Sequence, residues 1–150
     1  MKKERTLSVS AIKNGTVIDH IPCGSALKIL KFLDFTKENV QVTIGLNLKS
    51  SKMQCKDIMK IQDRQITSQE AHQIAILAPS ATVNIIHNYE VVKKIPVTLP
   101  ETIESILVCP NKKCITRQEK TDSFFFVHKE GKLVFIQCKY CEKRFPQEEF

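Results

Sequence analysis

Hydrophobic and polar positions alternate at the start of this chain, and the period then changes several times along it. Leu7, Val9 and Ala11 fall on one face and Ser8, Ser10 and Ile12 on the other. Asn14-Gly15 is a strong short signal for a hairpin turn, so residues 16–21 are expected to return as a second strand. Leu27, Ile29, Leu30 and Leu33 form an apolar stripe at helical spacing, which predicts a helix over residues 25–35. Residues 40–48 read as a strand whose Gly45 marks a bulge, residues 49–54 as a polar loop, and residues 57–61 as a short strand. Thr67-Ser68-Gln69-Glu70 is a capping box opening a helix through Leu77, and Pro79 ends it. Residues 81–86 and 89–95 are two further strands joined by a tight turn at His87-Asn88.

Two helices interleaved with strands predict an α+β fold, a ferredoxin-like sandwich with both helices on one face of a sheet. The prolines of Pro96 to Pro100 mark residues 96–100 as a linker, with one domain over residues 1–97 and another over 101–150. Beyond the linker the pattern is all-β: SFFFVHKEGKLVFIQC reads as two strands around a Glu130-Gly131 turn.

That small second domain carries four of the chain's six cysteines. Cys109 and Cys114 are spaced C-x4-C, and Cys138 and Cys141 are spaced C-x2-C. Two loops that each present a pair of thiols, delivered by a hairpin, suit one tetrahedral structural zinc with sulfurs about 2.3 Å from the metal. Two disulfides are the rival reading. A C-x2-C pair is cramped for a bridge, and no secretory signal leads the chain, which is expected to be cytoplasmic. The segment has too little core to fold alone, so a zinc would contribute of order 10 kcal/mol to its stability. Cys23 and Cys55 have no partner nearby in sequence and are expected to be free thiols.

Charge narrows the function classes. Residues 1–100 hold 14 Lys and Arg against 8 Asp and Glu, whereas residues 101–150 hold 9 against 8. Any surface for polyanions therefore belongs to the first domain. The even balance around the cysteines argues against the alternative of a stand-alone zinc-ribbon protein that binds nucleic acid. Four thiolates leave a metal no open position for chemistry. His128-Lys129-Glu130 ahead of the C-x2-C pair matches only part of a zinc-deaminase pattern, because Gln137 replaces the proline. A phosphate loop, a nucleophile elbow and a dinucleotide fingerprint are missing from a chain with 4 glycines. No run approaches the ~20 apolar residues of a membrane span.

In the first domain, polar residues gather at strand ends: Asp19 and His20, Lys56 and Lys60, Asn84, Tyr89 and Lys94. Lysines suit phosphates, and a carboxylate or amine suits ribose hydroxyls, although a solvated basic rim produces the same pattern. Taken singly, His20 reads equally as a turn residue and Tyr89 more readily as core.

Several stretches are specific in both domains and in their order: AIKNGTVIDHIP (11–22), TIGLNL (43–48), KDIMKI (56–61), APSATVN (78–84), NYEVVKK (88–94), LVCPNKKCI (107–115) and CKYCEKRF (138–145). Over about residues 7–145 the chain resembles the regulatory chain of aspartate carbamoyltransferase. The resemblance implies a non-catalytic chain with an N-terminal nucleotide-binding allosteric domain and a C-terminal four-cysteine zinc domain that docks on the catalytic chain. It also implies regulatory-chain homodimers, CTP and ATP as competing effectors with UTP a further candidate, and control of pyrimidine biosynthesis. Carried over by position, base and ribose lie against Val9, Ala11, Ile12, Val17, Asp19 and Lys60, and phosphates meet His20, Asn84 and Lys94. Tyr89 and Val91 lie near the base, and Lys56 and Ile86 complete the set. Thr6 departs from the pattern, standing where a family member has a lysine near a second nucleotide.

Overall fold

The computed structural model describes residues 11–150 and divides into two compact units, residues 1–98 and 99–150. In the first unit the elements are β1 (Gly15–Ile21), α1 (Ala26–Leu33), β2 (Val42–Ser50), β3 (Gln54–Gln62), α2 (Ser68–Leu77), β4 (Thr82–His87) and β5 (Glu90–Ile95). The strands form one antiparallel sheet in the order β2-β3-β1-β4-β5. Both helices pack against one face of it. The core there is built from Ile18 and Ile21 of β1, Met59 and Ile61 of β3, Val83 of β4, Ala26 and Ile29 of α1, and Ala71 and Ile74 of α2. This is the expected α+β arrangement.

The spacing of Ile18 and Ile21 explains an irregularity in β1. Residues three apart on a flat strand face opposite sides, yet both isoleucines are fully buried. A register shift between them, with His20 at φ +56°, turns Ile21 back to the core. Thr67 caps α2 through the expected reciprocal box, its hydroxyl accepting from the Glu70 N–H. α1 stops earlier than its periodicity suggested. Asp34 adopts a left-handed conformation at φ +43°, donates its N–H to the Leu30 carbonyl, and leads into a short 3-10 turn at Phe35–Lys37.

Four further expectations for the first unit need correction. Residues 16–21 take no hairpin partner across Asn14-Gly15, because β1 is paired along both edges, to β3 and to β4, and residues 7–10 of the expected first strand lie outside the described residues. Gly15 opens β1 at φ +135°, and a Cβ there would lie 2.0 Å from the Ile61 carbonyl oxygen. Residues 49–54 are mostly strand rather than loop: β2 and β3 pair as far as Ser50 and Gln54, leaving a turn of residues 51–53. Tyr89 belongs to neither strand nor core. It sits with Asn88 in the β4–β5 turn, both at positive φ (+66° and +50°), and is 65% exposed.

The fourth concerns Cys23 and Cys55, which are joined in a disulfide, with Cα atoms 6.1 Å apart, rather than being free. The 32 residues between them hide the pairing from sequence, since only the sheet brings the loop after β1 beside the start of β3. Cys55→Ser is expected to lower the stability of the oxidised protein by about 3 kcal/mol, through the loop entropy that the bridge removes from the unfolded chain. Denaturant unfolding without reductant measures this, and a difference under ~1 kcal/mol would count against a structural role.

The second unit contains β6 (Thr102–Glu104), a single helical turn α3 (Ile115–Gln118), β7 (Phe124–Glu130), β8 (Leu133–Cys138) and β9 (Arg144–Pro146). They form a four-stranded antiparallel sheet in the order β6-β7-β8-β9. Glu130 pairs with Leu133, so the β7–β8 turn is Gly131-Lys132, one residue later than expected. The core is thin: Ile103, Leu107, Phe125 and Ile136 are buried. The C-terminal Phe150 sits edge-on to Phe125 at 5.5 Å and to Phe145 at 6.0 Å, giving the short tail a packing role that its sequence did not suggest.

Candidate functional sites

The second unit brings the four expected cysteines together. Their sulfurs all lie within 4.8 Å of one another. Sγ of Cys109 is 3.8 Å from that of Cys141, and Sγ of Cys114 is 3.7 Å from that of Cys138. Sulfurs at the corners of a tetrahedron around a metal about 2.3 Å away are separated by about 3.8 Å. The cluster therefore has the dimensions of a four-thiolate metal site.

Each cysteine is placed by a local device. Cys114 donates its N–H to the Asn111 carbonyl and precedes α3, and Cys138 ends β8. The Glu142 N–H returns to the Cys138 carbonyl, with Glu142 itself at φ +62°, which folds the C-x2-C loop back. Arg117 donates to the Cys109 carbonyl at 2.9 Å.

Burial pushes the thiols of Cys109 and Cys138 above their ordinary pKa. Burial acts on Cys114 in the same sense, but hydrogen bonds from Thr116 and from the neighbouring thiols outweigh it and bring the pKa down to about 7. A cation held by Cys109, Cys114, Cys138 and Cys141 would supply the charge that lets all four ionise. His128 takes no part in the cluster; its Nε2 is hydrogen-bonded to Oε1 of Gln137 at 2.8 Å.

In the first unit, strand register organises the expected nucleotide residues. Lys60 pairs with Val17, Val17 with Asn84, and Asn84 with Lys94, so one row crosses β3, β1, β4 and β5. Adjacent strands lie about 4.8 Å apart, which spreads the two lysines over about 14 Å of sheet. The pleat puts this row on the face turned away from α1 and α2. Asp19 and Ile86 share that face, being two residues along β1 and β4 from members of the row.

Asp19, His20, Asn84 and Lys94 line one cavity of about 430 Å³, together with Lys52, Thr82 and Val83. Lys56 Nζ grips the Asp19 carboxylate at 2.9 and 3.2 Å. Burial opposes ionisation of Asp19, yet the Lys56 bond and the His20 N–H together hold its pKa below the usual value. Burial shifts Lys60 downward, with the nearby Asp19 charge acting against that shift. His20 Nδ1 lies 3.1 Å from the Thr82 hydroxyl, and its carbonyl accepts from Ser80.

Not every expected residue joins this cavity. Lys56 and Lys60 neighbour it through Asp19, whereas Tyr89 and Val91 are exposed at the far end of β5. Ala11 and Ile12 precede β1, and Val9 and Thr6 lie outside the described residues. Lys52 and Thr82 were missed. Lys52 sat in an expected polar loop with no motif, and only the paired strands carry it to the cavity.

Comparison with known proteins finds matches to both units. A family model described as the aspartate carbamoyltransferase regulatory chain, allosteric domain, matches residues 7–98. A second, described as the metal binding domain of the same chain, matches residues 101–150. An aspartate carbamoyltransferase regulatory chain from Photobacterium profundum is 49% identical over 148 residues, covering 99% of this chain and 96% of the relative. One from Vibrio parahaemolyticus is 49% identical over 148 residues, covering 99% and 97%. One from Vibrio cholerae is 47% identical over 148 residues, covering 99% and 96%.

Proposed function

This chain belongs to the family of aspartate carbamoyltransferase regulatory chains, non-catalytic subunits of a pyrimidine-biosynthetic enzyme, and from that premise we propose how it works. It binds CTP and ATP, with UTP a further ligand, at one site on the helix-free face of the first unit. The phosphates meet His20, Asn84 and Lys94. Asp19, Lys56 and Lys60 lie toward the ribose, and the base lies against Val9, Ala11, Ile12, Val17, Ile86, Tyr89 and Val91. The observation that carries this reading is the single cavity shared by Asp19, His20, Asn84 and Lys94, in line with Lys60 across the sheet. Basic groups for phosphates beside a carboxylate and an amine for ribose hydroxyls are what a nucleoside triphosphate requires.

The metal of the second unit is zinc, one per chain and structural, because four thiolates in tetrahedral array suit that ion and leave no position for a substrate. Its residues Cys109, Cys114, Cys138 and Cys141 hold together a domain that docks on the catalytic chain and passes the nucleotide's effect to it. Residues 1–97 and 101–150 act as the two functional domains, with residues 96–100 between them. The chain works as a homodimer in the cytoplasm. Thiol reductants there oppose the Cys23–Cys55 bridge, so its stabilisation applies under oxidising conditions.

Calorimetric titration with CTP, ATP and a short single-stranded RNA tests the effector site. Saturable, mutually competitive binding of CTP and ATP, lost in Lys94→Ala and without a response to RNA, is the expected result. RNA binding without competition from nucleotides would replace this reading with a nucleic-acid surface.

A further inference from the structure

We propose that Lys52 is a phosphate-binding residue of the cavity in the first unit and that it sets a preference for triphosphates over monophosphates. The proposal rests on the reading of that cavity as the nucleotide site. Three observations support it.

The first is position. Lys52 lies in the turn of residues 51–53 between β2 and β3, yet it lines the cavity with His20, Asn84 and Lys94, which come from β1, β4 and β5. A hairpin tip from one end of the sheet order thus shares a cavity with a lysine on the strand at the other end.

The second is charge balance. Among the described residues that line the cavity Asp19 is the one carboxylate, and Lys56 already offsets it at 2.9 Å. Lys52 and Lys94 therefore leave the cavity with two positive charges that no lining carboxylate among the described residues offsets. Each further phosphate of a nucleotide adds negative charge and acceptor oxygens. A lysine ammonium on a long stem suits such a tail as a point charge, without the fixed geometry of an arginine.

The third is presentation. The Ser50 hydroxyl accepts the Met53 N–H at 3.2 Å, and the Cys55 N–H donates to the Met53 carbonyl at 2.8 Å. Cys55 pairs with Lys49 at the base of the hairpin and is bridged to Cys23, three residues beyond His20. The two hydrogen bonds hold the turn itself, and under oxidising conditions the bridge also ties it to the segment that carries His20. That lowers the ordering cost of bringing Lys52 to a ligand.

The test is calorimetric titration of the full-length, metal-loaded chain with CTP and with CMP, for wild type, Lys52→Ala, Lys52→Arg and Lys94→Ala. Lys52→Ala is expected to weaken CTP about 10-fold and CMP less than about two-fold, the value of a charged hydrogen bond reduced for solvent exposure. Lys52→Arg keeps the charge and should stay within about three-fold of wild type for CTP. An unchanged thermal unfolding midpoint in Lys52→Ala shows that the fold is intact. If Lys94→Ala loses CTP while Lys52→Ala binds it as wild type does, the Lys52 role alone is overturned. Equal weakening of CTP and CMP in Lys52→Ala overturns the selectivity. A wild-type chain that binds neither nucleotide overturns the cavity's assignment and this proposal with it.

Discussion

Cys114→Ser is expected to cost the second unit its fold while leaving the first unit folded. With Ile103, Leu107, Phe125 and Ile136 as its main buried apolar side chains, that unit depends on the cysteine cluster for cohesion. A metal in such a site contributes about 10 kcal/mol or more, and a cluster with three thiolates loses much of that. The variant should hold less than one metal per chain by elemental analysis, lose amide protection in β7 and β8, and fail to assemble with the catalytic chain. Nucleotide titration of the same sample should match wild type, because the cavity is built within residues 19–97. Normal assembly of Cys114→Ser would show that docking does not depend on this cluster. Acid should reproduce the variant's behaviour. Burial already favours the protonated thiols of Cys109 and Cys138, so falling pH brings protons into competition with the metal.

Asp57→Ala is the second large expected effect, this time in the first unit. Asp57 is fully buried at the foot of β3 and accepts three backbone N–H groups. Gly24 donates to Oδ2 at 2.9 Å, Ala26 to Oδ2 at 3.2 Å, and Asn47 to Oδ1 at 3.0 Å. Ala26 is the first residue of α1, so the carboxylate also satisfies a helix N-terminus that Ser25 does not cap with its side chain. Alanine would leave these donors without a partner, at a cost of about 3–5 kcal/mol. Asp57→Asn distinguishes this network from simple packing. Its single carbonyl oxygen can serve Gly24 and Ala26, but its amide then faces the Asn47 N–H, so it should recover about half of the loss. Urea unfolding followed by a signal from the first unit gives both numbers. An alanine variant within ~1 kcal/mol of wild type would mean that water replaces the carboxylate readily.

The difference between what was legible and what was not follows the range of the interactions involved. The capping box at Thr67 and Glu70 was readable because its partners are three residues apart. The C-x4-C and C-x2-C pairs were readable because metal-binding loops have short, characteristic spacings, and the cluster has the dimensions that such spacings imply. The Asn14-Gly15 hairpin failed for the opposite reason. Its signal was purely local, whereas β1 takes the central place of a five-stranded sheet, where two distant strands outcompete a local partner.

Sequence by itself therefore determined the helix-and-strand class, the four cysteines that cluster and the family to which both halves belong. Tertiary structure alone decided that Cys23 meets Cys55, that Asp57 serves three backbone donors, and that Lys52 and Lys94 line one cavity. Each of these depends on strand register. A one-residue slip between β2 and β3, or between β1 and β4, would send the same side chains to the opposite face of the sheet. Register is set by burying Ile18, Met59, Ile61 and Val83 together, a collective choice of the whole core that no local stretch of residues encodes.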